Sequence, residues 1–302
     1  MDKPRDQEDT AVFITGGRFS EEFFERWPHR LTFEFGAATH AGKVRPNNED
    51  HFAVVRRRRT NELLLTNLDP QRVVLTDDSA FALVVADGMG GARFGEFASR
   101  LALQRMFELT QQATSWVMKY TGQEVLQIRE RVDAYVQEMQ ATLSDYVAAH
   151  PATAGMGTTW TSAHLLPPHA LIVQIGDSRA YLLHDGELRQ VTHDETMAQA
   201  FIDSGMDPDT VKKFRHVLLN SLGGSNDDVT AQIHHLQLEP GDRLLLCTDG
   251  LTEMVADQDI AKVLEQNSAP QDACDQLIAL ALDKGGKDNV TVILAAAAEP
   301  KA

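Results

Sequence analysis

The 302-residue sequence predicts an α+β fold in which helices cover sheets of largely antiparallel strands. Three observations carry that prediction. Short runs rich in β-branched and apolar residues recur through the chain, two long amphipathic patterns lie between groups of such runs, and no strict strand–helix–strand alternation is present. The length suits one large domain with appendages, and no internal repeat divides it.

Residues 1–30 mix Asp, Glu, Arg and Phe without a sustained period and read as an N-terminal extension closed by Trp27-Pro28. Phe19, Phe23, Phe24 and Trp27 have a helix-like spacing suited to docking on the domain of residues 31–298. Leu31–Thr39 alternates through Leu31, Phe33, Phe35 and Ala37, as a half-buried strand does. His51–Val55, Val73–Leu75 and Phe81–Ala86 follow as strands, and the Arg56–Arg59 run between them reads as a solvated hairpin end. Helical spacing then covers Gly95 to Gln112 and Gln123 to His150, the second with Ile128, Val132, Val136, Met139 and Leu143 on one stripe. These two helices are expected to form an antiparallel pair. Thr159–Leu165, Ala170–Ile175, Ala180–His184, Ile233–Leu238, Arg243–Cys247 and Val290–Ala295 complete the strands. Asp257–Gln266 and Pro270–Lys284 are late helices that begin on residues suited to helix N-termini.

With 28 basic and 44 acidic residues the net charge is -16, which argues against nucleic acid or an anionic membrane as a partner. Cys247 and Cys274 belong to no C-x-x-C or multi-cysteine framework, so neither a disulfide scaffold nor a zinc ribbon is expected. The N-terminus lacks an apolar targeting segment, and the longest near-apolar run, Val290 to Ala298, is far short of the about 20 residues of a membrane span. The chain therefore reads as soluble and cytoplasmic.

Three segments share one design, an apolar run beside an aspartate flanked by glycine or asparagine: Leu83 to Gly91 around Asp87, Leu244 to Gly250 around Asp249, and Lys287 to Leu294 around Asp288. An aspartate at the edge of a buried strand is rigidly held, and the adjacent glycine admits backbone or ligand closely. A single Asp-Gly is ordinarily a turn. If the three strands converge, their carboxylates repel one another unless cations compensate, and hard oxygen donors favour Mg²⁺ or Mn²⁺ over zinc. Arg45-Pro46-Asn47-Asn48-Glu49-Asp50 adds a guanidinium suited to a phosphate and two more carboxylates. Neighbouring side chains in an extended chain face opposite ways, so Glu49 and Asp50 are not both expected to bind one metal directly.

These segments, in this order, together with Gly157-Thr158-Thr159, Gly176-Asp177-Ser178-Arg179, Leu222-Gly223-Gly224 and Gly285-Gly286-Lys287-Asp288-Asn289, resemble the PPM family of type 2C serine/threonine protein phosphatases, especially its bacterial members. The resemblance covers roughly residues 33 to 296. It implies a central β-sandwich of mostly antiparallel strands flanked by antiparallel helix pairs, a four-layer αββα arrangement, with a flap at about 193–224 beside the active site. It implies hydrolysis of phosphoserine and phosphothreonine in proteins by water activated at two Mn²⁺ or Mg²⁺ ions. By motif, Asp87 would bridge the metals, the Gly88 carbonyl would bind one, and Asp249 and Asp288 the other. Glu49 and Asp50 would hold metal-bound waters, and Arg45 the substrate phosphate.

Two departures from the family pattern stand out. Met89 occupies the position where some members carry a histidine that protonates the leaving group, so that proton would fall to water at the metals. Pro151 to Met156 lacks the aspartate of a third-metal site, which argues against a third ion. Asp177, Ser178 and Arg179 are expected to buttress a turn. The implied partners are phosphorylated proteins made by a serine/threonine kinase, with the enzyme a monomer. A haloacid-dehalogenase-like phosphatase is disfavoured by the strand-rich layout, and a catalytically weak PPM-like regulatory or binding module by the presence of Asp87, Asp249, Asp288 and Arg45.

Overall fold

The computed structural model describes residues 31–59, 62–65, 67, 78–90, 94–112, 122–224 and 228–300. The expected extension over residues 1–30, with its aromatic spacing, and the strand expected at Val73–Leu75 lie outside them. The first half contains β1 (Thr32–His40), β2 (His51–Arg59), β3 (Asp78–Ala86), β4 (Gly88–Met89), α1 (Phe94–Gln112) and α2 (Gly122–Ala149). The middle contains β5 (Gly157–Thr158), β6 (Trp160–Leu166), β7 (His169–Ile175), β8 (Arg179–His184), β9 (Glu187–Gln190), α3 (Met197–Asp203), α4 (Pro208–Val211) and β10 (Leu222–Gly223). The chain continues through β11 (Gln232–Gln237), β12 (Arg243–Cys247), α5 (Asp249–Thr252), α6 (Asp257–Gln266), α7 (Pro270–Asp283) and β13 (Val290–Ala298).

Two five-stranded sheets, β1-β13-β12-β8-β9 and β11-β7-β6-β3-β2, are antiparallel throughout, and a small β10-β5-β4 sheet lies beside them. Leu83 and Val85 of β3, Leu165 of β6 and Ile172 of β7 pack against Leu182 of β8, Leu244 and Leu246 of β12 and Ile293 of β13, forming the core between the sheets. The alternate residues on the same strands face the other way. Leu245, Cys247, Val292 and Leu294 pack beneath α6 and α7, and Val84, Ala86, Trp160 and Ile175 beneath α1 and α2. These four layers explain why β7, β12 and β13 read as continuous apolar runs although their sheets are antiparallel: both faces are covered.

Helices α1 and α2 pair as the stripe predicts, with Met139 and Leu143 fully buried. Arg105 of α1 reaches Glu138 of α2 at 2.7 Å, while Phe97 packs tilted against Tyr146 with centroids 4.4 Å apart. The earlier residue of α1 thus meets the later one of α2, so the helices run antiparallel. One detail differs from expectation. The Arg56–Arg59 run is not a hairpin end beyond the strand but the last part of β2 itself, paired with Phe81 to Asp78. β2 is an edge strand, where charged side chains discourage pairing with other chains.

Candidate active site

Asp87 joins β3 to β4, Asp249 opens α5 immediately after β12, and Asp288 lies just ahead of β13. The three segments end on one edge of the sandwich, where a cleft of about 490 Å³ is lined by Arg45, Glu49, Asp87, Gly88, Asp249 and Asp288. Asp50 is not among the lining residues. Its Oδ2 accepts hydrogen bonds from Thr248 Oγ1 at 2.9 Å and Thr291 Oγ1 at 2.7 Å, behind the cleft.

Small polar residues hold this arrangement in place. Thr158 Oγ1 and the Thr159 amide both donate to the Asp87 carbonyl, at 2.8 and 2.9 Å, and the Asp87 amide donates back to Thr159 Oγ1 at 3.0 Å. The Gly-Thr-Thr motif is therefore a clamp on the Asp87 backbone. Asn289 does the same for the other segments: its amide side chain donates to the carbonyls of Ala41 and Asn47, and its Oδ1 accepts from the Glu49 amide at 2.7 Å. Chain crowding dictates the glycines. A Cβ on Gly88 would run into the Gly95 carbonyl, and one on Gly250 into the Asn289 carbonyl.

The electrostatics are lopsided. Burial first, then the charges of Asp50, Asp249 and Asp177, push Asp87 well above the ordinary carboxylate range. Burial lifts Asp249 to about 6, helped by Glu253 and Asp288, and lifts Asp50 to about 7 against the two threonine hydrogen bonds. Glu49 is raised by burial as well. Asp87 and Asp249 lie close enough for each to feel the other's charge. One oxygen each of Asp50 and Asp249 is buried without a hydrogen-bond partner. Crowded, unsatisfied oxygen donors of this kind suit hard divalent cations, which would supply the missing positive charge.

Arg45 is the cation of the cleft, and Asp288 holds it at 2.6 Å, a contact that raises the guanidinium pKa further. The Arg45 side chain is 56% exposed, so the pair contributes at most about 1 kcal/mol and yields to a stronger anion.

Asp177, Ser178 and Arg179 separate into two groups. Ser178 Oγ meets Thr159 Oγ1 at 2.9 Å and its carbonyl accepts from Thr161, buttressing the Asp87 clamp. Arg179 grips Asp194 through two nitrogens, at 2.8 and 2.6 Å, and ties the start of the flap to the sandwich. Asp177 instead lines the cleft, with its pKa raised by burial and by Asp249.

Two residues escaped the sequence reading. His216 of the flap lines the cleft, and its Nδ1 lies 3.3 Å from Glu253 Oε1. Ligand atoms of His216, Asp249 and Glu253 all fall within 4.8 Å of one another. Glu253 follows Asp249 by four residues, a spacing that puts both on one side of a helical turn and was readable; the approach of His216 was not.

Comparison with known proteins points one way. A sequence profile described as protein phosphatase 2C matches residues 65–282. The chain is 33% identical over 268 residues to the serine/threonine protein phosphatase PstP of Mycobacterium tuberculosis, covering 88% of this chain and 45% of that relative, so it spans about half of PstP's length. It is 30% identical over 259 residues to the serine/threonine phosphatase stp of Listeria monocytogenes, covering 85% of this chain and 92% of that one. Among solved structures, the catalytic domain of PstP in complex with two manganese ions superposes with a TM-score of 0.70 at 31% identity, over 89% of this chain and 100% of that one. Stp1 from Staphylococcus aureus gives 0.73 at 27% identity, over 90% and 98%. Among the described residues, no helix is long and apolar enough to cross a membrane.

Proposed function

The chain belongs to the protein phosphatase 2C family, and on that footing we propose that it hydrolyses phosphoserine and phosphothreonine monoesters in proteins with two Mn²⁺ or Mg²⁺ ions at the sandwich edge. The observation that carries this reading is the convergence of Asp87, Asp249 and Asp288 on one cleft, with a buried oxygen of Asp249, and one of Asp50 behind it, that no protein donor satisfies. Asp87, the Gly88 carbonyl, Asp249 and Asp288 would hold the ions directly; Glu49 and Asp50 would act through water. When bound, the ions lower the pKa of water and neutralise phosphoryl charge.

The remaining work belongs to the chain. Thr158 and Thr159 keep Asp87 from shifting, and Asn289 locks the Glu49 loop against the strand that follows Asp288, so the donors are preorganised rather than recruited. Arg45, weakly held by Asp288, turns its fork onto the phosphoryl oxygens and orients the ester for in-line displacement. The flap over residues 193–224 borders the cleft through His216 and Leu218, which suits it to contact the phosphopeptide. We place the enzyme, as a monomer in the cytoplasm, opposite a serine/threonine kinase.

Turnover of a phosphothreonine peptide should be lost on exhaustive chelation and restored by Mn²⁺. Undiminished turnover after chelation would overturn the reading.

A further inference from the structure

The flap gives the cleft an imidazole that the sequence around Met89 lacks. Its backbone is fixed on both sides: Thr196 bridges to Leu218, the Met197 amide donates to the Val217 carbonyl at 2.8 Å, and the Leu219 amide donates to Glu195 at 2.7 Å. Phe201 of α3 packs edge-on against Phe214, with centroids 5.3 Å apart, just before the histidine. Glu253 is equally fixed, because its amide donates to the Asp249 carbonyl at 2.8 Å. His216 therefore meets a carboxylate held one turn from a cleft aspartate.

That carboxylate faces Nδ1, which leaves Nε2 as the free nitrogen of the ring, and the side chain is 68% exposed, so protons exchange with solvent. Charged groups near His216 are Asp249, which opens α5, and Glu253, which follows that helix, with Arg215 preceding the histidine in the chain; Asp87, Asp177, Arg45, Glu49 and Asp288 share the cleft. Serine and threonine alkoxides are poor leaving groups at neutral pH and need a proton as the ester bond breaks. Arg45 does not release one in the working range, and Met89 has none to give.

Resting on the phosphatase reading above, we propose that His216 is a catalytic residue that protonates the leaving serine or threonine oxygen from Nε2, with Glu253 as the residue that positions its ring. As the water oxygen bonds to phosphorus, the ester P–O bond breaks, its electron pair leaves with the side-chain oxygen, and that oxygen takes the His216 proton. The attacking water releases its proton to solvent, and His216 recovers one through its exposed edge.

Leaving-group dependence tests this directly, because p-nitrophenolate departs without a proton. With Mn²⁺ saturating, His216→Ala should lower kcat on a phosphothreonine peptide by on the order of 10²-fold, with KM little changed, and leave kcat on p-nitrophenyl phosphate within about threefold. His216→Asn, which keeps a polar side chain beside Glu253 but carries no transferable proton, should behave as the alanine variant does. Glu253→Gln, which takes away the carboxylate beside Nδ1, should lower kcat on the peptide by a smaller factor and likewise spare p-nitrophenyl phosphate, a split between esters that a merely structural role would not produce. Equal losses on both esters, or a rise in KM alone, would assign His216 to substrate binding and overturn the proposal. Loss of a bound Mn²⁺ from His216→Ala in calorimetry would make the residue a metal ligand and overturn it too. A wild-type protein inert toward both esters defeats the phosphatase reading itself, and the role of His216 with it.

Discussion

The dipeptide Asp-Gly occurs three times in this chain and serves two different purposes. Asp185-Gly186 joins β8 to β9 with φ of 48° and 78°, and the Asp185 side chain is 92% exposed. This is a hairpin turn in which glycine supplies a left-handed backbone. A Cβ on Gly186 would meet nothing nearer than Glu265 Oε1 at 3.5 Å. At Asp87-Gly88 and Asp249-Gly250 the reasons are reversed: neither glycine has positive φ, yet a Cβ on either would collide with a backbone carbonyl. Glycine is chosen for conformation in the hairpin and for space at the cleft. The aspartates differ in the same way, one exposed at the surface, the others crowded into a charge that only protons or cations relieve.

The contrast is tested most severely by isosteric neutralisation. Asp87→Asn should lower kcat on a phosphothreonine peptide in saturating Mn²⁺ by on the order of 10³-fold while circular dichroism stays native, whereas Asp185→Asn stays within about twofold. Comparable rates in the two variants would remove Asp87 from the site.

Adding a methyl group separates space from conformation. Gly250→Ala should cost about 3 kcal/mol in urea unfolding because a carbonyl must move, and Gly186→Ala about 1 kcal/mol for left-handed strain alone. Equal costs would mean that the cleft yields as easily as the hairpin.

The smallest effect is a slope. Burial lifts Asp249 to about 6 and Asp50 to about 7, above the roughly 3.9 of an unfolded aspartate. The folded state then holds more protons than the unfolded one, so this contribution is complete below about pH 4 and is lost as pH rises through the folded values. The thermal midpoint of chelated protein should fall between about pH 4.5 and 7.5, and Mn²⁺ should flatten the fall. A midpoint that rises across this window without metal would contradict the crowding of the carboxylates.

Much of this was readable in one dimension because it depends on local periodicity and short motifs. The stripe from Ile128 to Leu143 specified a helix face, and the strand ends at Asp87, Asp249 and Asp288 marked the carboxylates before any contact was known. The end of β2 was less legible, since Arg56–Arg59 looks solvated in isolation and becomes strand only through pairing with Phe81 to Asp78. Alternation likewise vanishes from β12 and β13 because helices cover the face that would otherwise be polar.

The α+β class, the order of its elements and the set of aspartates therefore followed from the sequence alone, since backbone propensity, apolar spacing and hard-oxygen chemistry act within a few residues. Which oxygens lie buried without partners, that Arg45 rests on Asp288, that Asp50 sits behind two threonines and that His216 meets Glu253 were decided by tertiary structure. Each of those contacts joins residues 37 or more positions apart, and a charge acquires its pKa from the neighbours that folding brings to it.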